Sequence, residues 1–288
     1  GVTDLDLARA YFERSADMGD AQSMLSLGYI YRNGMGVEKN GDLAEGWFAQ
    51  AANLGLAEAK FMWARTVLDR SGDRSEVEAA LGKMNEAAAA GNLLALNSIG
   101  DLLRSGTFAE QDVEKALSYY QSAANNGLVE AWNTIGDIYL FAELGAPDIA
   151  KAIEAYMTGA ENGNTTSMYS LAYLFYNDPG ADDQLRQTAF NYAQTAALAW
   201  DEQAQLLLGK MFLDGTATTK DDSQAYFWLD LAASAGVVEA HHLRALAYAG
   251  IGAELASAVH EQARKWFSEN HAVPHTHRLL GAGAHSFQ

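Results

Sequence analysis

Small, apolar and polar positions repeat along the chain with a period of 36 or 37 residues. The clearest part of the period is a motif of two small residues, two variable residues and a closing residue. The seven closing residues, called anchors below, are Gly19, Gly55, Gly91, Gly127, Gly163, Trp200 and Gly236. A register kept over most of the chain indicates an array of similar structural units.

Three further columns follow each anchor at fixed offsets. Small residues lie four and nine positions after it, and a large apolar residue lies twelve positions after it. The nine-position column is Gly28, Ala64, Gly100, Gly136, Ala172, Gly209 and Ala245, and the twelve-position column is Tyr31, Val67, Leu103, Tyr139, Phe175, Phe212 and Tyr248. These offsets fall on one stripe of a helix with 3.6 residues per turn, so they predict a buried stripe that lets a neighbouring helix approach closely.

Each period is predicted to form two helices joined by turns. Aromatic residues lie seven or eight positions before most anchors, where they fill the space beside the small residues. Glycine supplies the left-handed conformation that commonly ends a helix, and Asn33-Gly34, Asn126-Gly127 and Asn162-Gly163 are typical of such ends. One helix pair is too short to bury its apolar face alone. Stacked pairs bury a continuous core, which predicts an all-α solenoid.

The repeat resembles the Sel1-like repeat, a relative of the tetratricopeptide repeat. The best match to the family pattern runs from Ser23 to Val37 and from Ala44 to Gly55. The resemblance implies a right-handed α/α solenoid of about seven helix-turn-helix repeats, forming a single domain over residues 1–270. Within it, the amphipathic stretch Ala253–Asn270 predicts a C-terminal capping helix, and residues 271–288 are expected to form an irregular tail.

The chain is strongly acidic, with 37 acidic and 19 basic residues and a formal net charge of −18. Between Ala116 and Gly209 the basic residues are Lys151 and Arg186, against eleven acidic residues. Such a chain lacks the basic stripe that neutralises phosphates, so nucleic acid is excluded as a partner. The charge serves either solubility or the steering of a basic partner, and both interpretations stay open.

Other features of the composition limit the location and chemistry of the protein. No stretch approaches the roughly 18 consecutive apolar residues of a membrane-spanning helix, so direct membrane insertion is not expected. The chain has no cysteine, which excludes disulfides and thiol catalysis. The resemblance implies bacterial adaptor, regulatory or envelope-assembly roles. A periplasmic or other extracytoplasmic location is therefore favoured, with the cytoplasm as the alternative.

No strong catalytic constellation is present. Gly34-Met35-Gly36 resembles the start of a phosphate-binding loop, but it follows a helical pattern and lacks the Lys-Ser/Thr ending, so it is interpreted as a repeat turn. Asp182-Asp183 and Asp221-Asp222 lie between repeats, where they are interpreted as helix-start charges rather than an acid/base pair. We therefore expect no enzymatic activity and no cofactor.

Three histidines near the C terminus provide a weak alternative. His271, His275 and His277 offer three imidazoles to one copper, nickel or zinc ion if the tail folds back. Pro274 interrupts a helix there, and no supporting carboxylate is evident nearby. The prediction is therefore that no metal site exists, with a metal-handling role kept as the alternative.

The same resemblance implies that the first helix of each repeat lines a concave, partner-binding face. Positions three, six, ten, thirteen and fourteen after an anchor avoid the buried stripe, so they are expected to point into that face. The candidate partner-binding residues are Tyr29, Arg32, Arg65, Asn97, Asp101, Arg104, Asn133, Asp137, Tyr169, Tyr173 and Tyr176. Asparagine suits a peptide backbone, arginine suits a carboxylate, and tyrosine supplies rigid contact area. The alternative is an ordinary solvated groove.

The sequence thus favours a scaffold or adaptor that binds a protein or peptide on its concave face. A second interpretation is a localisation or spacer domain of a larger envelope protein. It is favoured by the start of the chain, which lies within a second-type helix at about Leu5–Ala16 without the first helix of that repeat.

Overall fold

The computed structural model describes residues 4–70, 72–108 and 110–270, and this part of the chain is α-helical without strands. Its fourteen helices are α1 (Asp4–Asp17), α2 (Ala21–Asn33), α3 (Gly41–Asn53), α4 (Ala57–Arg70), α5 (Arg74–Ala89), α6 (Leu93–Ser105), α7 (Val113–Asn125), α8 (Glu130–Leu140), α9 (Ile149–Glu161), α10 (Thr165–Asn177), α11 (Asp183–Leu198), α12 (Glu202–Asp214), α13 (Asp222–Ser234) and α14 (Val238–Asn270). The predicted all-α array of helix pairs is confirmed.

The chain divides after Ala152 into two compact units. Unit 1 contains α1 to α8, unit 2 contains α10 to α14, and the boundary falls within α9. Within each unit, every helix packs against the next one along the chain. Below, A helices are those that follow an anchor (α2, α4, α6, α8, α10, α12 and the first part of α14). B helices are those that precede an anchor (α1, α3, α5, α7, α9, α11 and α13).

All seven anchors adopt the left-handed backbone conformation. The φ angles of the six glycines lie between 85° and 107°, and φ of Trp200 is 71°. Glycine enters this region without the steric cost that a Cβ atom brings, whereas Trp200 bears that cost. The Trp200 ring lies 4.6 Å from the Trp266 ring and 5.4 Å from the Phe267 ring, measured between centroids. A contact with the C-terminal part of α14 therefore accounts for tryptophan at this anchor.

The nine-position column brings the A helix and the B helix of a repeat together. A Cβ atom added to Gly100 would lie 2.8 Å from the Tyr120 ring, and Phe48 covers Gly28 in the same way. The column is buried from Gly28 through Gly209. Since real side chains do not tolerate contacts this short, small residues are required wherever an aromatic ring of the B helix lies over the A helix.

The seventh copy of the repeat contradicts the predicted buried stripe, because Ala245 and Tyr248 are exposed. Helix α14 is interrupted at Gly252, where φ is 78° and ψ is 170°. The part that follows, residues 253–270, is called the capping segment below. Its Val259, Ala263 and Trp266 pack into a cluster with residues of α10 to α13 rather than over Ala245. A capping helix is thus present as predicted, but it does not cover Ala245 and Tyr248 of the last A helix.

Aspartates begin several helices, as interpreted from the sequence. Asp182 accepts a hydrogen bond from the backbone N–H of Leu185 at 2.8 Å, and Asp221 accepts one from Gln224 at 2.9 Å. These side chains satisfy backbone donors that have no partner within the helix. Asp182 and Asp221 therefore act as helix caps.

Candidate interaction surface

All of the predicted partner-binding residues lie on A helices. Unit 1 carries Tyr29, Arg32, Arg65, Asn97, Asp101, Arg104, Asn133 and Asp137, which are called the unit 1 A-face, and unit 2 carries Tyr169, Tyr173 and Tyr176, which are called the unit 2 A-face. Arg65, Asp101 and Tyr173 are exposed, and the other members are half-buried. None of them belongs to the buried core. The offset argument was wrong at position six of three other A helices, where Leu25, Phe61 and Leu206 are buried.

Neighbouring A helices contact each other in a constant register. Tyr29, ten positions after its anchor, donates a hydrogen bond of 2.8 Å to Glu58, which lies three positions after the next anchor. Lys210 and Glu239 have the same two offsets and form an ion pair of 2.8 Å in unit 2. Position ten of one A helix therefore faces position three of the next. Glu58 could have been found from the sequence, because position three was among the predicted surface offsets.

Two members of the unit 1 A-face repeat the same side-chain pair on successive A helices. The amide nitrogen of Asn97 lies 3.2 Å from a carboxylate oxygen of Asp101, and that of Asn133 lies 3.3 Å from Asp137. The other carboxylate oxygen of Asp101 accepts a hydrogen bond of 2.7 Å from Tyr120 on the B helix. Burial, followed by this hydrogen bond to Asp101, raises the pKa of Tyr120. Each asparagine is thus oriented by an aspartate one helical turn along the helix.

Arg104 already has a carboxylate partner within unit 1. Its Nε atom donates a hydrogen bond of 2.8 Å to Oε2 of Glu143, and its Nη2 atom contacts Oε1. The double contact has the geometry in which a guanidinium group holds a carboxylate most firmly. The predicted role of Arg104 as a ligand for an external carboxylate therefore requires that the pair with Glu143 opens. The sequence offered no signal for this pair, since Glu143 lies in the turn after α8.

The unit 2 A-face is formed by three tyrosines on one side of α10. The rings of Tyr169 and Tyr173 lie 6.0 Å apart, and Tyr176 donates a hydrogen bond to Asp214. Burial raises the pKa of Tyr169, and the negative charges of Asp201 and Glu239 act in the same direction. The side chain of Tyr173 is 48% exposed. The surface therefore combines accessible aromatic rings with nearby carboxylates.

An open cleft adjoins the unit 2 A-face at the turn end of its helices. Its volume is about 840 Å³, and its walls include Tyr176, Asp178, Asp183 and Arg186. Arg186 lies 3.6 Å from Asp183, so its charge is partly offset within the cleft. The cleft extends the accessible surface next to Tyr176 with polar groups.

A buried charged cluster in unit 2 was not predicted from the sequence. Asp230 on α13 is 2% exposed, and its carboxylate oxygens lie 2.6 Å from Arg244 and 2.7 Å from Nδ1 of His260. Arg244 belongs to the first part of α14 and His260 to the capping segment. The corresponding position is exposed in several other B helices, as at Gln121 and Gln194. The cluster therefore joins three helical segments and has no place in the repeat pattern.

The proposed metal ligands lie outside the described residues, as do the other residues of the tail, so the structure gives no view of His271, His275 or His277. Among residues 4–70, 72–108 and 110–270, no group of three or more histidines and carboxylates is placed to hold a metal ion. In the same ranges, no helix combines the length and the apolar character needed to cross a membrane.

Comparison with known families supports the repeat assignment. The family model of the Sel1 repeat matches residues 1–20, 21–56, 93–128, 165–199 and 202–237, which amount to more than half of the chain. The intervening residues 57–92 and 129–164 contain the helix pairs α4–α5 and α8–α9. No curated protein matches the sequence.

Solved structures show the same fold. The crystal structure of a Sel1 repeat protein from Oxalobacter formigenes is 26% identical and aligns with a TM-score of 0.69, covering 78% of this chain and 92% of that one. The crystal structure of c5321, a protective antigen of uropathogenic Escherichia coli strains displaying an SLR fold, is 21% identical. It aligns with a TM-score of 0.62 and covers 97% of this chain and 68% of that one.

Proposed function

The chain belongs to the Sel1 repeat family, and from this premise we propose that it is an interaction scaffold whose A helices bind a peptide or a domain of another protein. Sel1 repeats generally mediate protein–protein interactions, and proteins built from them are typically non-enzymatic scaffolds. The proposal assigns binding to the A-faces because their polar and aromatic side chains reach solvent beside a rigid buried stripe.

The observation that carries the proposal is the tyrosine pair of α10, in which Tyr173 is exposed and Tyr169 is half-buried. Tyr173 is 48% exposed beside Tyr169, and neither residue belongs to the fully buried core. A tyrosine ring offers a large contact area at a small cost in conformational entropy, and such rings are enriched where proteins bind one another. An adaptor function gives these two rings a role on the surface.

Site-specific crosslinking in the source cells tests the proposal. A photoreactive amino acid at Asn97 or Tyr173 should capture a partner protein, because both positions lie on A-faces. The matched controls are Gln121 and Gln194, which lie six residues before an anchor on exposed sides of B helices. Capture from the control positions with none from the A-face positions would contradict the proposal.

Alanine substitutions then measure how much each side chain contributes. Asn97, Arg104, Asn133 and Tyr173 are replaced singly, and affinity is measured against the captured partner. At least two substitutions should weaken binding by more than about 1 kcal/mol, since a few residues dominate most interfaces. Circular dichroism verifies that the helices are intact. Normal binding by all four variants would rule out the A-faces as the binding surface.

The proposed partner carries a net positive charge. A net charge of −18 attracts a basic protein over distances longer than a hydrogen bond, and this attraction raises the association rate at low ionic strength. The association rate with the captured partner should therefore fall as salt is added. A rate independent of salt would leave solubility as the role of the charge.

A further inference from the structure

Two arginines of the unit 1 A-face have no carboxylate partner in a chain dominated by acidic residues. Within the described ranges, the basic side chains that form no ion pair are Arg14, Arg32, Lys39, Arg65 and Lys115. Of these, Arg32 and Arg65 lie on A helices. The other basic side chains of the described part are each matched with an acid, so the two arginines stand out.

The two arginines lie on neighbouring A helices, α2 and α4. Tyr29 and Arg32 are one turn apart on α2, and Glu58, Met62 and Arg65 follow one stripe of α4. Tyr29 contacts Glu58 at 2.8 Å, and Nη1 of Arg32 lies 3.8 Å from the sulfur of Met62. The two stripes therefore meet in register. Arg65 follows Met62, the residue that Arg32 contacts, by one turn, about 5 Å along α4.

Around the hydroxyl of Tyr29, the positive charges of the two arginines outnumber the negative charge of Glu58. Burial and the hydrogen bond to Glu58 raise the pKa of Tyr29, while the positive charges of Arg32 and Arg65 oppose that rise. Both guanidinium groups thus act on the same hydroxyl. The carboxylate of Glu58 offsets one of the two positive charges and leaves the other in excess. Met62 beneath them is buried, and a low-dielectric floor strengthens the attraction for an anion.

We propose that Arg32 and Arg65 together bind the carboxylate of one aspartate or glutamate side chain in an extended segment of the partner. This inference rests on the proposed function and specifies its chemistry. Two planar guanidinium groups provide several N–H donors for a single carboxylate, which a lysine pair does not match in geometry. The net charge of the chain attracts a basic protein, and one acidic side chain at this place sets the register of the bound segment.

Selection of peptides against the intact chain tests the proposal. Short random peptides, displayed without a free C-terminal carboxylate, are enriched on the wild type. We expect the enriched sequences to share one aspartate or glutamate at a fixed position. An enriched peptide is then synthesised with an amidated C terminus, together with a version in which that acid is replaced by its amide. Fluorescence anisotropy should show about tenfold weaker binding for the amide version, which corresponds to about 1.4 kcal/mol.

Protein variants test whether Arg32 and Arg65 cause the preference for the acidic peptide. The double variant R32Q/R65Q should bind both versions of the peptide equally weakly, because the loss belongs to one interaction. The control K39Q/K115Q removes the same charge from two other basic residues without ion pairs, and it should keep the tenfold preference for the acid. R32K/R65K retains the charge and should show an intermediate preference. Matching melting temperatures verify that the variants fold.

Several results would overturn the proposal. The first is that no peptide is enriched, and the second is that the enriched peptides share a sequence without an acid at a fixed position. The third is that R32Q/R65Q and K39Q/K115Q lose the preference for the acidic peptide to the same extent. The amide version of the peptide is also made with a free C-terminal carboxylate. If this carboxylate restores the full affinity, the site belongs to a terminal carboxylate and the proposal is wrong. If the A-face crosslinks form while these peptide tests fail, the scaffold function stands. The proposed binding of a side-chain carboxylate by Arg32 and Arg65 is then wrong.

Discussion

Single positions set how closely the two helices of a repeat approach. Gly100 lies under the ring of Tyr120, whose hydroxyl is held by Asp101 on the same A helix as the glycine. The ring therefore cannot move away without losing a hydrogen bond. Residue 100 must therefore stay small, because the Tyr120 ring has only one place to lie.

Replacement of Gly100 by leucine should destabilise the protein. Overpacking of a close helix contact costs about 1–3 kcal/mol or more, and the displaced Tyr120 adds to the loss. The matched control is Gln121→Leu, since Gln121 is exposed on α7. Urea unfolding followed by circular dichroism measures both variants. Equal midpoints would show that the nine-position column does not control helix packing.

Trp200 allows backbone strain and side-chain packing to be separated. Trp200→Gly and Trp200→Ala both lose the ring contacts with Trp266 and Phe267, so both should be less stable than the wild type. The two variants differ in the cost of a positive φ, which alanine bears and glycine does not. We expect the glycine variant to be more stable than the alanine variant by about 1 kcal/mol. The opposite order in urea unfolding would mean that the backbone relaxes once the ring is removed.

At the scale of elements, the capping segment shows how the array ends. Its apolar side packs against α13 and Trp200, and its His260 contacts the buried Asp230. Terminal elements of a repeat array need a polar outer face, and the exposed His241 and His242 of the last A helix form part of such a face. The interruption at Gly252 allows the capping segment to take a position that the repeat itself does not provide.

Removal of one partner of Asp230 should loosen this end of the molecule. Arg244→Leu leaves a carboxylate that is 2% exposed with His260 alone. Breaking a buried ion pair costs about 3–5 kcal/mol, and the partial exposure of Arg244 reduces the expected loss to about 1–3 kcal/mol. Arg264→Leu is the control, because its pair with Glu261 is exposed and contributes less than about 1 kcal/mol. Equal urea midpoints for the two variants would show that the cluster does not hold the capping segment.

At the scale of the whole molecule, charge is the dominant property. The structure contains many exposed ion pairs, such as Arg74 with Glu78, yet the acidic residues remain in large excess. Added salt screens the ion pairs, which lowers stability. It also screens the repulsion among acidic residues, which raises stability. Exposed pairs contribute little individually, whereas the repulsion acts over the entire surface.

The urea midpoint of the wild type should therefore rise with added salt at neutral pH. An increase from about 10 mM to about 150 mM monovalent salt shortens the Debye length from about 30 Å to about 8 Å, which screens the repulsion among acidic residues. Unfolding is followed by circular dichroism at several salt concentrations with the same cation and anion. A midpoint that falls with salt would mean that the local ion pairs outweigh the repulsion.

The sequence alone was sufficient for the repeat and for most positions of the A helices that reach solvent, although position six is buried at Leu25, Phe61 and Leu206. Both follow from local geometry: a helix has 3.6 residues per turn, and a left-handed anchor favours glycine wherever it occurs. For this reason the A-face residues, from Tyr29 to Tyr176, were found by counting from the anchors. Position ten even faces position three of the next A helix, as Tyr29 faces Glu58.

The tertiary structure alone decided which of those residues have a partner within the molecule. Arg104 and Glu143 are 39 residues apart, and Asp230 and His260 are 30 residues apart. Neither spacing matches the period of 36 or 37 residues, so neither pair leaves a periodic signature. The burial of Asp230 also depends on the capping segment, which packs against α13 and Trp200 after the repeat has ended. Within the described part of the chain, Arg104 has an ion-pair partner and Arg32 and Arg65 have none because of long-range packing, which no local sequence pattern encodes.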